Sequence, residues 1–208
     1  MIITYFGKQF FKIGQGDMVL ACNPVSKASK TGISAKFGAD VAFVTINHPD
    51  YNGIEQLTHG EREPFVMSGP GDYEIKDIFV KGVLSETEIG GRKYINTIYL
   101  FSVDGTNIAF LGPIGSEDLS KESREAIGSP DVLFIPVGGH GMLDAKSAAK
   151  LASALEAKLV IPMDYDDASL KTFLKEMGED KAEVVEKLTL KKKDLETKEG
   201  DVIVLKAV

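Results

Sequence analysis

The stretch Val44-Thr45-Ile46-Asn47-His48-Pro49-Asp50-Tyr51-Asn52 decides how this chain is read. It leaves an apolar run, residues 41–45 (VAFVT), that suits a fully buried strand. A histidine, a proline, an aspartate and a tyrosine then follow in close succession. A loop at the end of a buried strand can carry such side chains into a cleft, which is where binding and catalytic groups concentrate.

Working outward, the N-terminal side reads as short strands. Residues 2–6, 10–13 and 18–22 favour β structure and are separated by Gly7 and by Gly14-Gln15-Gly16. On the C-terminal side, residues 78–84 follow the turn signal Pro70-Gly71-Asp72. Residues 97–103 and 107–111 flank Asp104-Gly105, a pair that tolerates positive φ and signals a hairpin. The second half changes period. Residues 131–137 (DVLFIPV) read as a buried strand. Ala148, Leu151, Ala152 and Leu155 then recur at helical spacing, with Asp144 placed to cap. Residues 159–161 form another strand. Leu170, Phe173, Leu174 and Met177 mark a helix stopped by Gly178. A further helix is expected from an N-cap at Ser116 to Ile127, with Glu117 and Asp118 in its first turn. Residues 202–205 close the chain as a strand. Two sheets with helices packed outside satisfy both halves.

The 208 residues are 43% hydrophobic and 26% charged, a balance that excludes a disordered or collagen-like chain. One domain over 1–208, built of two merged halves, fits that length. The net charge of -7, from 24 basic and 31 acidic residues, argues against non-specific binding to nucleic acid or anionic membrane. Cys22 is the single cysteine, so no internal disulfide framework and no multi-thiolate zinc site can form. No run approaches the roughly 18 apolar residues of a membrane span. The first residues lack the apolar stretch of a signal peptide. A soluble, cytoplasmic protein is expected. The Lys-rich residues 187–193 read as a solvated edge strand and turn.

The quoted loop, with Ile2-Ile3-Thr4-Tyr5-Phe6-Gly7, Leu20-Ala21-Cys22-Asn23-Pro24, Pro70-Gly71-Asp72-Tyr73-Glu74-Ile75, Phe134-Ile135-Pro136-Val137-Gly138-Gly139-His140 and Val160-Ile161-Pro162-Met163, resembles the metallo-β-lactamase fold superfamily. It is similar in particular to small metal-dependent hydrolases related to ascorbate-6-phosphate lactonase. The resemblance covers nearly the whole chain. It implies an α/β (α+β in some schemes) four-layer αββα sandwich. It also implies a metal site carried by Thr-His-x-His-x-Asp-His, a later His, a bridging Asp and a final His. Imidazoles and carboxylates at that spacing hold Zn, Mn or Fe ions, which lower the pKa of bound water.

Against that pattern, Thr45, His48 and Asp50 are kept. Ile46 stands for the first His, Tyr51 for the His after the Asp, and Thr87 for the later His. Pro113 replaces the bridging Asp, and Asp164 replaces the final His. Of the expected ligands, His48 and Asp50 remain and Asp164 is a substitute carboxylate. The resemblance therefore implies a scaffold kept and a two-metal site lost.

Three functions follow. The first is a non-catalytic or strongly divergent homologue, a pseudoenzyme that binds, regulates or assembles. The second is a hydrolase of phosphorylated sugars, lactones or phosphoesters using one divalent ion (Zn, Mn or Fe) on His48, Asp50 and Asp164, with Asp50 as the catalytic carboxylate. The third is a metal-free binder of a small molecule, contacted by Tyr51, His140 and Asp164. No cofactor is the leading expectation, and a homo-oligomer is compatible with the sequence. His48-Pro49-Asp50 also suits a purely structural turn. Gly138-Gly139-His140-Gly141 suits either a tight turn or a backbone cradle for phosphate. His59 reads as a surface residue and Cys22 as buried packing.

Overall fold

The computed structural model describes residues 1–60 and 63–208. Two β-sheets lie face to face. The first contains β1 (Ile2–Gly7), β2 (Phe10–Gln15), β3 (Met18–Cys22), β4 (Val41–Phe43), β5 (Phe65–Met67) and β13 (Lys187–Thr189), in the order β13-β1-β2-β3-β4-β5. The second contains β6 (Gly71–Ile75), β7 (Ile78–Ile89), β8 (Arg92–Val103), β9 (Thr106–Phe110), β10 (Val132–Pro136), β11 (Leu159–Met163), β12 (Glu183–Val185) and β14 (Asp201–Leu205). Its order is β12-β14-β11-β10-β9-β8-β7-β6.

Alternation decides which faces meet. In β1, Ile3 and Tyr5 turn inward while Ile2 is exposed. They join Phe11, Phe43, Tyr99, Phe101, Phe110 and Phe134 in the core between the sheets. Phe11 sits edge-on to Phe134 at 4.8 Å, and Phe43 stacks on Phe101 at 4.7 Å, so aromatic pairs cross from one sheet to the other. β10 and β11 are buried at every position and run parallel to each other. That is what their unbroken apolar sequences require of central strands covered on both faces.

α1 (Lys121–Ile127), α2 (Ala145–Ala154) and α3 (Asp167–Met177) cover the outer face of the second sheet through Ile127, Leu151 and Phe173. Asp144 accepts from the backbone N–H groups of Lys146 and Ser147, as its position before the apolar periodicity predicts. Gly178 ends α3 in the left-handed region, with φ 74°.

The outer face of the first sheet is covered differently. Residues 24–40 pass over it without helix or strand, aided by a single 3-10 turn, Ile54–Gln56. Phe37 from this segment stacks on Phe6 and Phe10 at 5.6 and 5.8 Å, and Lys12 lies over its ring. A segment rich in Ser, Lys and Gly has little helical preference, so apolar anchors hold it down instead.

Three expectations need correction. α1 begins after an N-cap at Ser120, whose hydroxyl accepts from the Ser123 N–H, and not at Ser116. Ser116 instead accepts from the Asp118 N–H in a separate turn. The strand expected at 78–84 continues to Ile89, because it pairs with β8 from Val80 to Ile89. β4 stops at Phe43 rather than Thr45. The chain then bridges the two sheets, with the Thr97 N–H donating to the Thr45 carbonyl at 2.9 Å.

Candidate functional site

The loop after β4 is sewn to the segment that follows β3. The Ser26 N–H donates to the Pro49 carbonyl, and the Gly53 N–H to the Pro24 carbonyl. Ser29 donates to Asp50 at 2.6 Å. The Asp50 N–H donates to His48 Nδ1 at 3.2 Å. The Asp50 carboxylate lies 4.0 Å from the same nitrogen. The His48 ring also meets the ring of Tyr94 edge-on at 5.8 Å.

Tyr51 turns the other way, into the protein, and is 2% exposed. Its hydroxyl donates to Asp164 Oδ2 at 3.1 Å, with the Met142 sulfur 3.8 Å off. Asp164 follows β11 and is the meeting point of the site. Lys8, in the turn between β1 and β2, places its ammonium 3.1 Å from Asp164 Oδ1. Gln9 directs its amide N–H groups to Asp164 Oδ2 at 3.4 Å and to the Met142 sulfur at 3.3 Å. The Gln9 carbonyl accepts from Asn23, whose own carbonyl accepts the Thr45 N–H at 2.9 Å. The Asp164 N–H returns to the Lys8 carbonyl at 2.8 Å. Burial and the nearby Asp164 charge push the Tyr51 phenol far above its usual pKa. It therefore stays a neutral donor across the physiological range.

The backbone is unusual at the same place. Lys8, Asn23, His140 and Asp164 all adopt positive φ, from 46° to 59°. The other non-glycine residues of this kind among those described, Lys76, Asp77, Asp104 and Glu156, follow strands or a helix in ordinary turns. Left-handed non-glycine residues cost energy, and surrounding contacts must hold them there. Gly138 explains part of that hold, since a Cβ there would collide with the Asp164 carbonyl oxygen.

A cleft of about 420 Å³ opens on the outer side of this network. Lys8, Thr31, His140, Asp164 and Asp166 line it, with Ile33 and the Tyr165 ring as its apolar wall. Of the residues singled out from sequence, Asp164 and His140 thus share a cleft. Tyr51 backs Asp164 from within, and His48 and Asp50 stand in the stitched loop. His59 is exposed, and Cys22 is fully buried, which pushes its thiol pKa up. Lys8, Gln9, Asn23 and Met142 were not anticipated.

The replaced ligand positions are packed or paired. Ile46 is buried. The Thr87 hydroxyl donates to the Gly141 carbonyl at 3.2 Å. Gly112, ahead of Pro113, lies so close to Thr45 Oγ1 and Asn96 Oδ1 that no side chain fits between them. Both of those buried atoms lack a hydrogen-bond partner among the described residues.

The donor set does not fit a metal ion. Among the described residues, no three His, Cys, Asp or Glu side chains are grouped so as to hold one. The polarity is also reversed. An ammonium, a phenol O–H and an amide N–H all point at the one central carboxylate. A cation needs convergent lone pairs, and this centre offers converging hydrogens.

Comparison with known proteins adds ancestry. Residues 2–164 match the family described as "Beta-lactamase superfamily domain". A protein of Listeria innocua described as a UPF0173 metal-dependent hydrolase is 39% identical over 149 residues, covering 68% of this chain and 60% of its own length. One of the same description from Thermoplasma acidophilum is 26% identical over 179 residues, covering 74% of this chain and 76% of its own. Among solved structures, a Thermotoga maritima protein, presented as a candidate Zn-dependent hydrolase of the metallo-β-lactamase superfamily, superposes with a TM-score of 0.76. It is 28% identical, and the match covers 98% of this chain and 97% of that one.

Proposed function

The chain belongs to the β-lactamase superfamily, and from that membership we propose that it is a metal-free member, a binding protein that keeps the scaffold of a metal-dependent hydrolase without its metal chemistry. One observation carries the proposal. The carboxylate at the centre is held by hydrogen donors from Lys8, Tyr51 and Gln9. Admitting a divalent ion would require displacing the Lys8 ammonium and finding lone pairs that the neighbouring side chains do not direct there. Ligand binding then falls to the cleft outside the network, where Lys8 and His140 are accessible.

Elemental analysis of protein purified without an affinity tag or chelator tests this. The expected result is no stoichiometric Zn, Mn or Fe. Near-equimolar metal that disappears in Asp164→Asn would overturn the proposal and support a single-metal hydrolase using His48, Asp50 and Asp164.

A further inference from the structure

The cleft beside Asp164 has a hydrogen-bonding inventory that defines its ligand. Asp164 is already engaged, with Lys8 on Oδ1 and Tyr51 and Gln9 on Oδ2. Lys8 spends one N–H on that pair; its side chain is 32% exposed and lines the cleft, which leaves two charged N–H groups for other partners. His140 is exposed, and its ring has no hydrogen-bond partner among the described residues. Asp166 caps α3 by accepting from the Ser169 N–H, and a carboxylate retains further acceptor sites. The bonds from Ser169 hold the Asp166 carboxyl below its usual pKa, and the neighbouring His140 adds to the effect. The cleft therefore presents donors at Lys8 and His140 and an acceptor at Asp166. An apolar wall of Ile33 and Tyr165 lies alongside.

Charge decides between ligand types. An anion drawn to Lys8 meets the Asp164 carboxylate 3.1 Å from the ammonium and Asp166 on the same wall. A cation drawn to Asp166 meets the Lys8 ammonium on the same cleft wall. A hydroxyl group avoids both penalties, because it accepts from Lys8 or His140 and donates to Asp166. The volume of about 420 Å³ lies in the range of small-molecule sites. We propose that this cleft binds a small, uncharged, polyhydroxylated molecule through Lys8, His140 and Asp166. This inference rests on the metal-free reading of the centre.

The test uses the full chain, dialysed and shown by elemental analysis to be metal-free. Saturation-transfer NMR and calorimetry are run with myo-inositol, D-ribose, D-glucose and D-mannitol as neutral polyols. Glycine serves as the zwitterion and inorganic phosphate as the anion. At least one polyol is expected to bind, with an affinity insensitive to salt between about 50 and 500 mM, as befits an uncharged ligand. Lys8→Met and Asp166→Asn should each weaken it about tenfold, the effect of losing one hydrogen bond to a charged group. Asparagine is itself a good N-cap, so Asp166→Asn leaves α3 intact and separates ligand loss from unfolding. Absence of binding by every polyol, or salt-sensitive binding of phosphate or glycine instead, would overturn the inference while leaving the metal-free reading standing. Metal found in the dialysed sample would refute that reading itself.

Discussion

The Tyr51 hydroxyl donates to a carboxylate that also holds the Lys8 ammonium, and both partners reach it from distant parts of the chain. Removing the hydroxyl alone leaves the Tyr51 ring in place and takes one of the two donors from Asp164 Oδ2. Tyr51→Phe is therefore expected to destabilise the protein by about 1–3 kcal/mol, the loss of a hydrogen bond to a charged group. Urea unfolding measures it, and a change within about 0.5 kcal/mol would mean that water replaces the bond. At this scale the sequence was half legible. Tyr51, Asp164 and His140 stand at positions where a family pattern makes substitutions visible. Lys8, Gln9, Asn23 and Met142 carry no such mark. They join the site through contacts as far apart in sequence as Gln9 and Asp164, or Gln9 and Met142, which no local pattern encodes.

Elements set the positions that these residues need. The turn between β1 and β2 brings in Lys8 and Gln9, the end of β11 brings in Asp164, and the loop before α2 brings in His140. Gly138 fixes the distance between the last two, because its Cα faces the Asp164 carbonyl with no room for a methyl group. Gly138→Ala should cost about 1–3 kcal/mol from overpacking against rigid backbone. It should also shift the amide NMR signals of residues 164–166. An unperturbed spectrum would show that the loop gives way freely. Strands and the later helices could be read because their apolar residues recur with clear periods. The start of α1 could not. Serines at 116 and 120 offer equivalent caps, and Ile127 and Ser123 are the only residues of that short helix that are buried, too few to fix a phase.

Across the whole molecule the two sheets are covered unequally. Three helices pack on the second sheet, while residues 24–40 cover the first with few backbone hydrogen bonds of their own. Local opening is cheapest where backbone bonds are few and burial is partial. Amides of residues 27–36 are therefore expected to exchange orders of magnitude faster than those of β10 and β11 in hydrogen-exchange mass spectrometry. Equal protection would contradict this account of the layer. The same segment supplies Ser29 to Asp50 and Thr31 and Ile33 to the cleft. The two sheets, and the helices that cover the second, could be anticipated from the order of strands and helices. The irregular layer over the first sheet could not, because its anchor, Phe37, is a single aromatic in a polar stretch.

The central claim is that an ammonium, and not a metal ion, balances Asp164. An anomalous-difference map from crystals soaked in zinc, recorded at the zinc absorption edge, tests it most directly. The account predicts Lys8 Nζ against Asp164 Oδ1 with no anomalous peak within bonding distance of the carboxylate. A zinc peak bound by Asp164, with Lys8 swung aside and His48 turned in as a second ligand, would contradict it.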